Sequence, residues 1–239
     1  VLLASGSRIR TRVLLVTTGL KDELPEVPGL AERWARDVLH CPYCHGWEVR
    51  DRAIAVLATS AMAGHQGLLF RQLSDDVVLV VHDGVEIPDE ELERLGAIGV
   101  RFAHGTPQEV VTDGDALVGL RLADGSVLER DAIVVASQPH VRADFLVPLG
   151  IEPKPFEMNG LVLGSVIDVE PTGATAVPGI FAAGNATDIS MILVASAAHG
   201  TRVGAWINAE LASTDATRAV QARRDEFFER PAWEERYSG

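Results

Sequence analysis

Short apolar runs alternate with segments of helical spacing along much of the chain. Val13-Leu14-Leu15-Val16-Thr17-Thr18-Gly19 passes from aliphatic and β-branched residues to small ones. It reads as a buried strand whose carboxyl end admits a ligand or another backbone. Before it, Val1 to Ala4, a Ser5-Gly6-Ser7 turn and Thr11 to Thr17 read as a β-hairpin. Pro25 and Pro28 mark a loop, and Gly29 to Leu39 fits a short helix. Ala53 to Ala58 predicts a second buried strand, and Met62 to Leu73 has helical spacing through Leu68, Leu69 and Leu73. Val77 to Val81 is a third strand, followed by a helix near Asp89 to Leu95 and a strand around Val100-Arg101-Phe102. This alternation is the pattern of a parallel sheet wound with helices.

The pattern then changes. Glu109 to Val111, Ala116 to Leu122 and Val127 to Glu129 are separated by Asp113-Gly114 and Asp124-Gly125, which predicts an antiparallel meander. Ala132 to Ala136 returns to a buried strand, and Val141 to Glu170 is loop-rich. Gly179-Ile180-Phe181-Ala182-Ala183-Gly184-Asn185 repeats the design of residues 13–19, and a long alanine-rich helix runs from about Ser190 to Leu211. The polar tail from Asp215 starts helical and breaks at Pro231. Three strands thus end in small residues, at Gly19, Ala136-Ser137 and Gly184. In wound parallel sheets, ligands bind outside such carboxyl ends.

With 239 residues, 47% of them hydrophobic, the chain can bury one large core or two modest ones. The formal charge of −13 argues against nucleic acid or an anionic membrane surface as the main partner. Runs such as Ile192 to Ala198 are too short to span a bilayer, so the expectation is a cytoplasmic protein.

The chemistry centres on His40-Cys41-Pro42-Tyr43-Cys44-His45-Gly46-Trp47, which holds both cysteines of the chain. Thiols three residues apart can close a small ring in the first turn of a helix, where unpaired backbone N–H groups favour a thiolate. Pro42 suits that turn because its missing N–H is no loss there. A zinc site needs about four ligands, usually in two pairs, and no second pair accompanies Cys41, Cys44, His40 and His45. No metal is therefore expected. Core cysteines are the plainer alternative, but both fall at redox spacing.

Taken together, the cysteine stretch, the strand ending Thr17-Thr18-Gly19 and the later Gly179 to Asp188 segment resemble thioredoxin-reductase-type flavoproteins. The resemblance covers most of residues 1–212. It implies an α/β fold of two interleaved Rossmann-like domains in three layers, with the small meander. Residues 1–37 would end a first FAD segment, 38–142 form an inserted NAD(P)-type domain carrying the cysteines, 143–212 a second FAD segment and 213–239 a tail. The form Cys-Pro-Tyr-Cys-His-Gly-Trp-Glu further resembles the branch containing the dithiol oxidases of holomycin and gliotoxin biosynthesis. Carried over, Cys44 would face the flavin, Cys41 would exchange with substrate, and His45 would take the place of an aspartate acid/base. Thr18, Gly19, Gly184, Asn185, Leu193 and Val194 would contact FAD, with Gly184-Asn185 matching a Gly-Asp pair. A homodimer is implied as well.

The departures are as informative. The first Gly-x-Gly-x-x-Gly, which grips the FAD pyrophosphate, is absent, and the resemblance places it upstream of Val1. The chain therefore reads as part of something longer. After the strand ending at Leu57, the family's glycine-rich turn is replaced by Ala58-Thr59-Ser60-Ala61-Met62-Ala63. The next strand ends Val81-His82-Asp83-Gly84, where Asp83 would repel the 2′-phosphate of NADPH. The family's Arg-Gln near the flavin becomes Ile192-Leu193. The closing Trp233 to Gly239 resembles the opening of a methyltransferase domain fused in some relatives. The reading is an FAD-dependent enzyme oxidising a small-molecule dithiol, or a thioredoxin-like protein, with electrons passing to flavin and oxygen and NADPH use doubtful. An NAD(P)H-dependent disulfide reductase and a non-catalytic remnant are the alternatives.

Overall fold

The computed structural model describes residues 1–228 apart from Ala61, Asp83 and Asn159, and excludes the side chains of 226–228. The expectations for Asp83 and for Trp233 to Gly239 lie outside the described residues. Contacts divide the chain into Val1–Lys21 with Pro139–Gly239, and Asp22–Gln138 between them. In chain order the elements begin with β1 (Leu14–Val16), β2 (Leu20–Glu23) and β3 (Val38–Leu39), then α1 (Pro42–His45), β4 (Ile54–Leu57), α2 (Met62–Phe70) and β5 (Val77–Val81). Next come α3 (Asp89–Ala97), β6 (Arg101–His104), β7 (Pro107–Asp113), β8 (Ala116–Leu122), β9 (Val127–Glu129), β10 (Ala132–Val135) and β11 (Gln138–Val141). The last are β12 (Lys154–Met158), β13 (Leu161–Val166), β14 (Ile180–Ala182) and α4 (Leu193–Phe228).

The inserted unit is built on a parallel sheet of order β3-β10-β4-β5-β6. Its central strands are apolar on every residue because both faces are covered. Ile54, Val56, Val77, Leu79, Ala132 and Val134 pack with Ala63, Phe70 and Leu95 of the helical layer. The alternate residues Ala55, Leu57, Val78, Val80, Ile133 and Val135 pack with Leu117, Leu120 and Leu122 of the meander. One sheet between a helical layer and a meander gives the three layers. This is the mixed α/β, Rossmann-like architecture expected from the strand and helix order.

The other unit pairs β1 with β14 in parallel, aligning Val16 with Ala182. Its core gathers Val16, Leu146, Ile167, Ala182 and Ala186. The long helix α4 begins beyond these strand ends and runs 36 residues without a break, past the end expected near Leu211.

Three local expectations fail. Gly29 to Leu39 is a 3-10 turn at Ala31–Arg33 followed by β3, not a helix. Ala35 has φ 61°, and Arg33 turns inward to bond the Asp37 carboxylate and the Asp115 carbonyl, contacts that hold a bend. The loop-rich reading of 141–170 misses β12 and β13, an antiparallel pair whose exposed faces carry little periodic signal. The expected opening hairpin is reduced to a single bridge between Leu2 and Arg8, because Leu14–Val16 pairs in parallel with β14 instead. No helix among the described residues is long and apolar enough to cross a membrane.

Candidate functional site

Cys41 is the extended residue that precedes α1, with φ −105° and ψ 121°, and Pro42 opens the helix. The single turn Pro42–His45 then brings Cys44 back over Cys41, and the two sulfurs lie 2.8 Å apart. Both thiols are free, and the Cys44 S–H donates to the Cys41 sulfur. That hydrogen bond, with burial second and the Cys41 charge third, pushes the Cys44 thiol up to about 11. Cys44 therefore holds its proton in the reduced pair.

The turn continues as a 3-10 segment, Gly46–Val49, pressed against α2. A Cβ on Gly46 would come within 2.5 Å of Leu73 Cδ1, so the missing side chain is what lets the dithiol turn seat on this packing. His45 points Nδ1 at the Glu48 carboxylate at 3.4 Å, with both side chains about half exposed, so the pairing is a weak one. Tyr43 and Trp47, the aromatic residues beside the turn, are 85% and 67% exposed. The Arg50 guanidinium covers one face of the Trp47 ring at 4.4 Å and donates to the Trp47 carbonyl.

Residues with no assigned redox role in the sequence surround the turn from behind. His40 Nδ1 lies 3.3 Å from the Val135 carbonyl and 3.4 Å from Ser137 Oγ, and the Ser137 N–H donates to it at 3.3 Å. Ser137 Oγ in turn donates to the Asp22 carboxylate at 2.8 Å. Gln66 on α2 donates to the His40 carbonyl, and its own buried Oε1 has no partner among the described residues. Such an unpaired buried acceptor is costly, which marks the back of the dithiol turn as a place under constraint.

In the outer unit, the parallel pairing of β1 with β14 brings two of the predicted flavin segments side by side. Gly19 and Gly184 have φ of 70° and 76°, and a Cβ on Gly19 would lie 3.5 Å from Asn185 Oδ1. Gly19 is half-buried and Gly184 buried, the latter 3.5 Å from Ser196 at the position a Cβ would take, so each strand end turns in a backbone conformation that favours glycine. The Thr18 hydroxyl is engaged by the Arg142 carbonyl. Ile192, just before the long helix, and Leu193 and Val194, which open it, are 69%, 86% and 73% exposed, an uncovered apolar edge suited to a flat ring. The residues present thus fit part of a flavin. His199, given no role from the sequence, is buried on α4 and accepts the Gly184 N–H at 3.2 Å, so it braces the glycine turn.

The second nucleotide pocket fits its expected ligand less well. Thr59 donates to the Ala136 carbonyl and Ser60 caps the Met62 N–H, so side chains occupy the turn where glycines would leave room. At the carboxyl ends of β5 and β6, a pocket of about 640 Å³ is lined by His82, Glu86, His104 and Thr106, with no Lys or Arg among the described lining residues. No cluster of three or more potential metal ligands occurs among the described residues.

Residues 2–210 match the pyridine nucleotide-disulphide oxidoreductase family. The chain belongs to that family. Within it, the thioredoxin reductase-like character is seen in thioredoxin reductase aclD of Aspergillus oryzae, 30% identical over 76% of this chain and 58% of the relative. Thioredoxin reductase sirT of Leptosphaeria maculans is 27% identical over 88% of this chain and 66% of its own length. Among solved structures, that of HlmI superposes with a TM-score of 0.78 at 38% identity, covering 94% of this chain and 68% of that one. An oxidoreductase from Agrobacterium tumefaciens gives a TM-score of 0.69 at 30% identity, over 84% and 64%. The chain therefore spans about 58% to 66% of the lengths of the two curated relatives above.

Proposed function

We propose that this family member is an FAD-dependent thiol–disulfide oxidoreductase that oxidises a substrate dithiol through Cys41 and Cys44. The observation that carries the reading is the 2.8 Å approach of the two sulfurs, close enough for one disulfide to form and break between them, with the S–H proton on Cys44. In the oxidised protein, a substrate thiolate attacks the Cys41 sulfur, breaking the Cys41–Cys44 bond and leaving Cys44 as a thiolate. The second substrate thiol, deprotonated, attacks the substrate sulfur of the mixed disulfide and releases Cys41. The substrate loses two electrons and two protons, and the cysteine pair gains the electrons. His45 is proposed to accept one of those protons as a general base.

Thr18, Gly19, Gly184, Asn185, Leu193 and Val194 would hold the FAD. The chemistry FAD supplies when bound is acceptance of the electron pair from the dithiol, with dioxygen as terminal oxidant. Cys44 is assigned as the thiol that exchanges electrons with it. Support for the direction comes from the resemblance of Cys-Pro-Tyr-Cys-His-Gly-Trp-Glu to the holomycin and gliotoxin dithiol oxidases, and from the side chains that fill the nicotinamide-nucleotide turn. The substrate class is a small dithiol or a thioredoxin-like protein, and a homodimer is the proposed assembly. The pocket beyond β5 and β6 supports a second reading, an NAD(P)H-dependent disulfide reductase working in reverse.

Anaerobic titration of the flavin-loaded protein separates the two. Bleaching of the flavin absorbance by a dithiol such as dithiothreitol, and not by NADPH, is expected. Bleaching by NADPH alone overturns the oxidase direction in favour of the reductase, and failure to retain any flavin overturns both.

A further inference from the structure

We infer that Asp22, Ser137 and His40 form a proton relay that serves Cys41, with Asp22 and Ser137 as positioning residues. The inference rests on the reading of Cys41 as the exchanging thiol. His40 precedes Cys41 directly, and its ring is fixed on one side only: Nδ1 is engaged by Ser137 and Val135 while the residue remains exposed. The remaining ring nitrogen, Nε2, is the one left for chemistry.

The surroundings of Nδ1 are unusual in serving both of its protonation states. A backbone N–H, from Ser137, can only donate, and so it meets a bare Nδ1. The Val135 carbonyl can only accept, and so it meets a protonated one. Ser137 Oγ spends its own proton on Asp22 and offers lone pairs to an Nδ1–H. The ring therefore stays in place whether that nitrogen carries a proton or not. These contacts fix the orientation of the ring through Nδ1, so that Nε2 is the nitrogen able to gain and lose a proton without the ring moving.

Asp22 tips the balance. The hydrogen bonds around the ring bring in one carboxylate, Asp22 from β2, and otherwise the uncharged groups of Val135, Ser137 and, at the His40 carbonyl, Gln66. Its negative charge, passed through the Ser137 hydroxyl, holds a proton on Nδ1 and leaves Nε2 as the basic nitrogen. The step is then a transfer of the Cys41 S–H proton to Nε2, giving a thiolate beside an imidazolium, with no change in electron count. An adjacent imidazolium lowers a thiol's pKa, so the pair is self-stabilising. His45, whose Nδ1 faces Glu48 at 3.4 Å, is left to serve the substrate thiol. Three segments distant in sequence meet at this relay, which is why no local motif announces it.

The test follows the reduced protein and needs neither flavin nor turnover. Alkylation of Cys41 by iodoacetamide is measured against pH by peptide mass spectrometry in the native chain, Asp22→Asn, Ser137→Ala, Ser137→Thr and His40→Asn. Asp22→Asn and Ser137→Ala should move the midpoint up by about half a pH unit, slowing alkylation near neutrality roughly threefold. His40→Asn should move it at least as far, and Ser137→Thr should restore the native profile. An unchanged profile in Asp22→Asn overturns the relay, and this exposed residue serves even if Ser137→Ala does not fold. Failure of the underlying redox reading looks different: the native thiols would not pair to a Cys41–Cys44 disulfide under mild oxidant, whatever the alkylation profile.

Discussion

At the scale of single residues, the dithiol is an asymmetric pair. Cys44 is raised to about 11 from an ordinary 9.0 because its S–H donates to Cys41 and because it is partly buried. A raised thiol pKa means that folding favours the protonated form. The associated stability is fully present below about pH 9 and is lost as pH rises toward 11. The reduced protein should therefore lose urea resistance between pH 8.5 and 10.5, to an extent larger than Cys44→Ser does. Iodoacetamide at pH 8 should label Cys41 well before Cys44, and equal labelling would remove the asymmetry on which the roles rest. Part of this site was legible in the sequence, since Cys41, Cys44 and Pro42 stand within four positions and their spacing dictates the turn. Ser137 and Asp22 were not legible. They reach the same place only because β10 runs parallel to β3 and delivers Ser137 behind His40.

Among elements, legibility followed burial. Strands β4, β5 and β10 are buried on both faces, so each reads as an unbroken apolar run and each falls where expected. Strands β12 and β13 have mostly exposed or half-exposed positions, and their pairing is held by register rather than by a hydrophobic pattern. The bend at 29–39 depends on Arg33 finding Asp115, far away in sequence. Two substitutions probe these layers. Leu79 is fully buried between α2 and the sheet, so Leu79→Ala should cost about 2–5 kcal/mol in chemical denaturation. Gly164→Ala on β13 would drive a Cβ into the Pro139 carbonyl, a backbone atom that cannot swing aside. It should cost about 1–3 kcal/mol, more than Gly160→Ala at a turn with open space around it, even though Gly160 has φ 78°.

For the molecule as a whole, charge bears on which electron donor is used. The chain carries a formal −13, and the pocket at the ends of β5 and β6 presents Glu86 with His82 and His104 rather than guanidinium groups. A nucleotide phosphate would have to overcome an unfavourable net charge without a bidentate partner, and the 2′-phosphate of NADPH carries the extra charge that most needs one. The side chains of Thr59, donating to the Ala136 carbonyl, and Ser60, accepting from the Met62 N–H, add to this by filling the turn at the end of β4. NADPH should therefore bind no more tightly than NADH, read by quenching of nicotinamide fluorescence at fixed ionic strength. Adding cations at the pocket should reverse the order. His82→Arg combined with Glu86→Arg is expected to improve NADPH binding about tenfold, with a steep salt dependence, while changing NADH binding little. A native chain that already prefers NADPH by tenfold would show that the pocket recruits a cation when the nucleotide arrives, and the disulfide reductase direction would then be the better account of the dithiol.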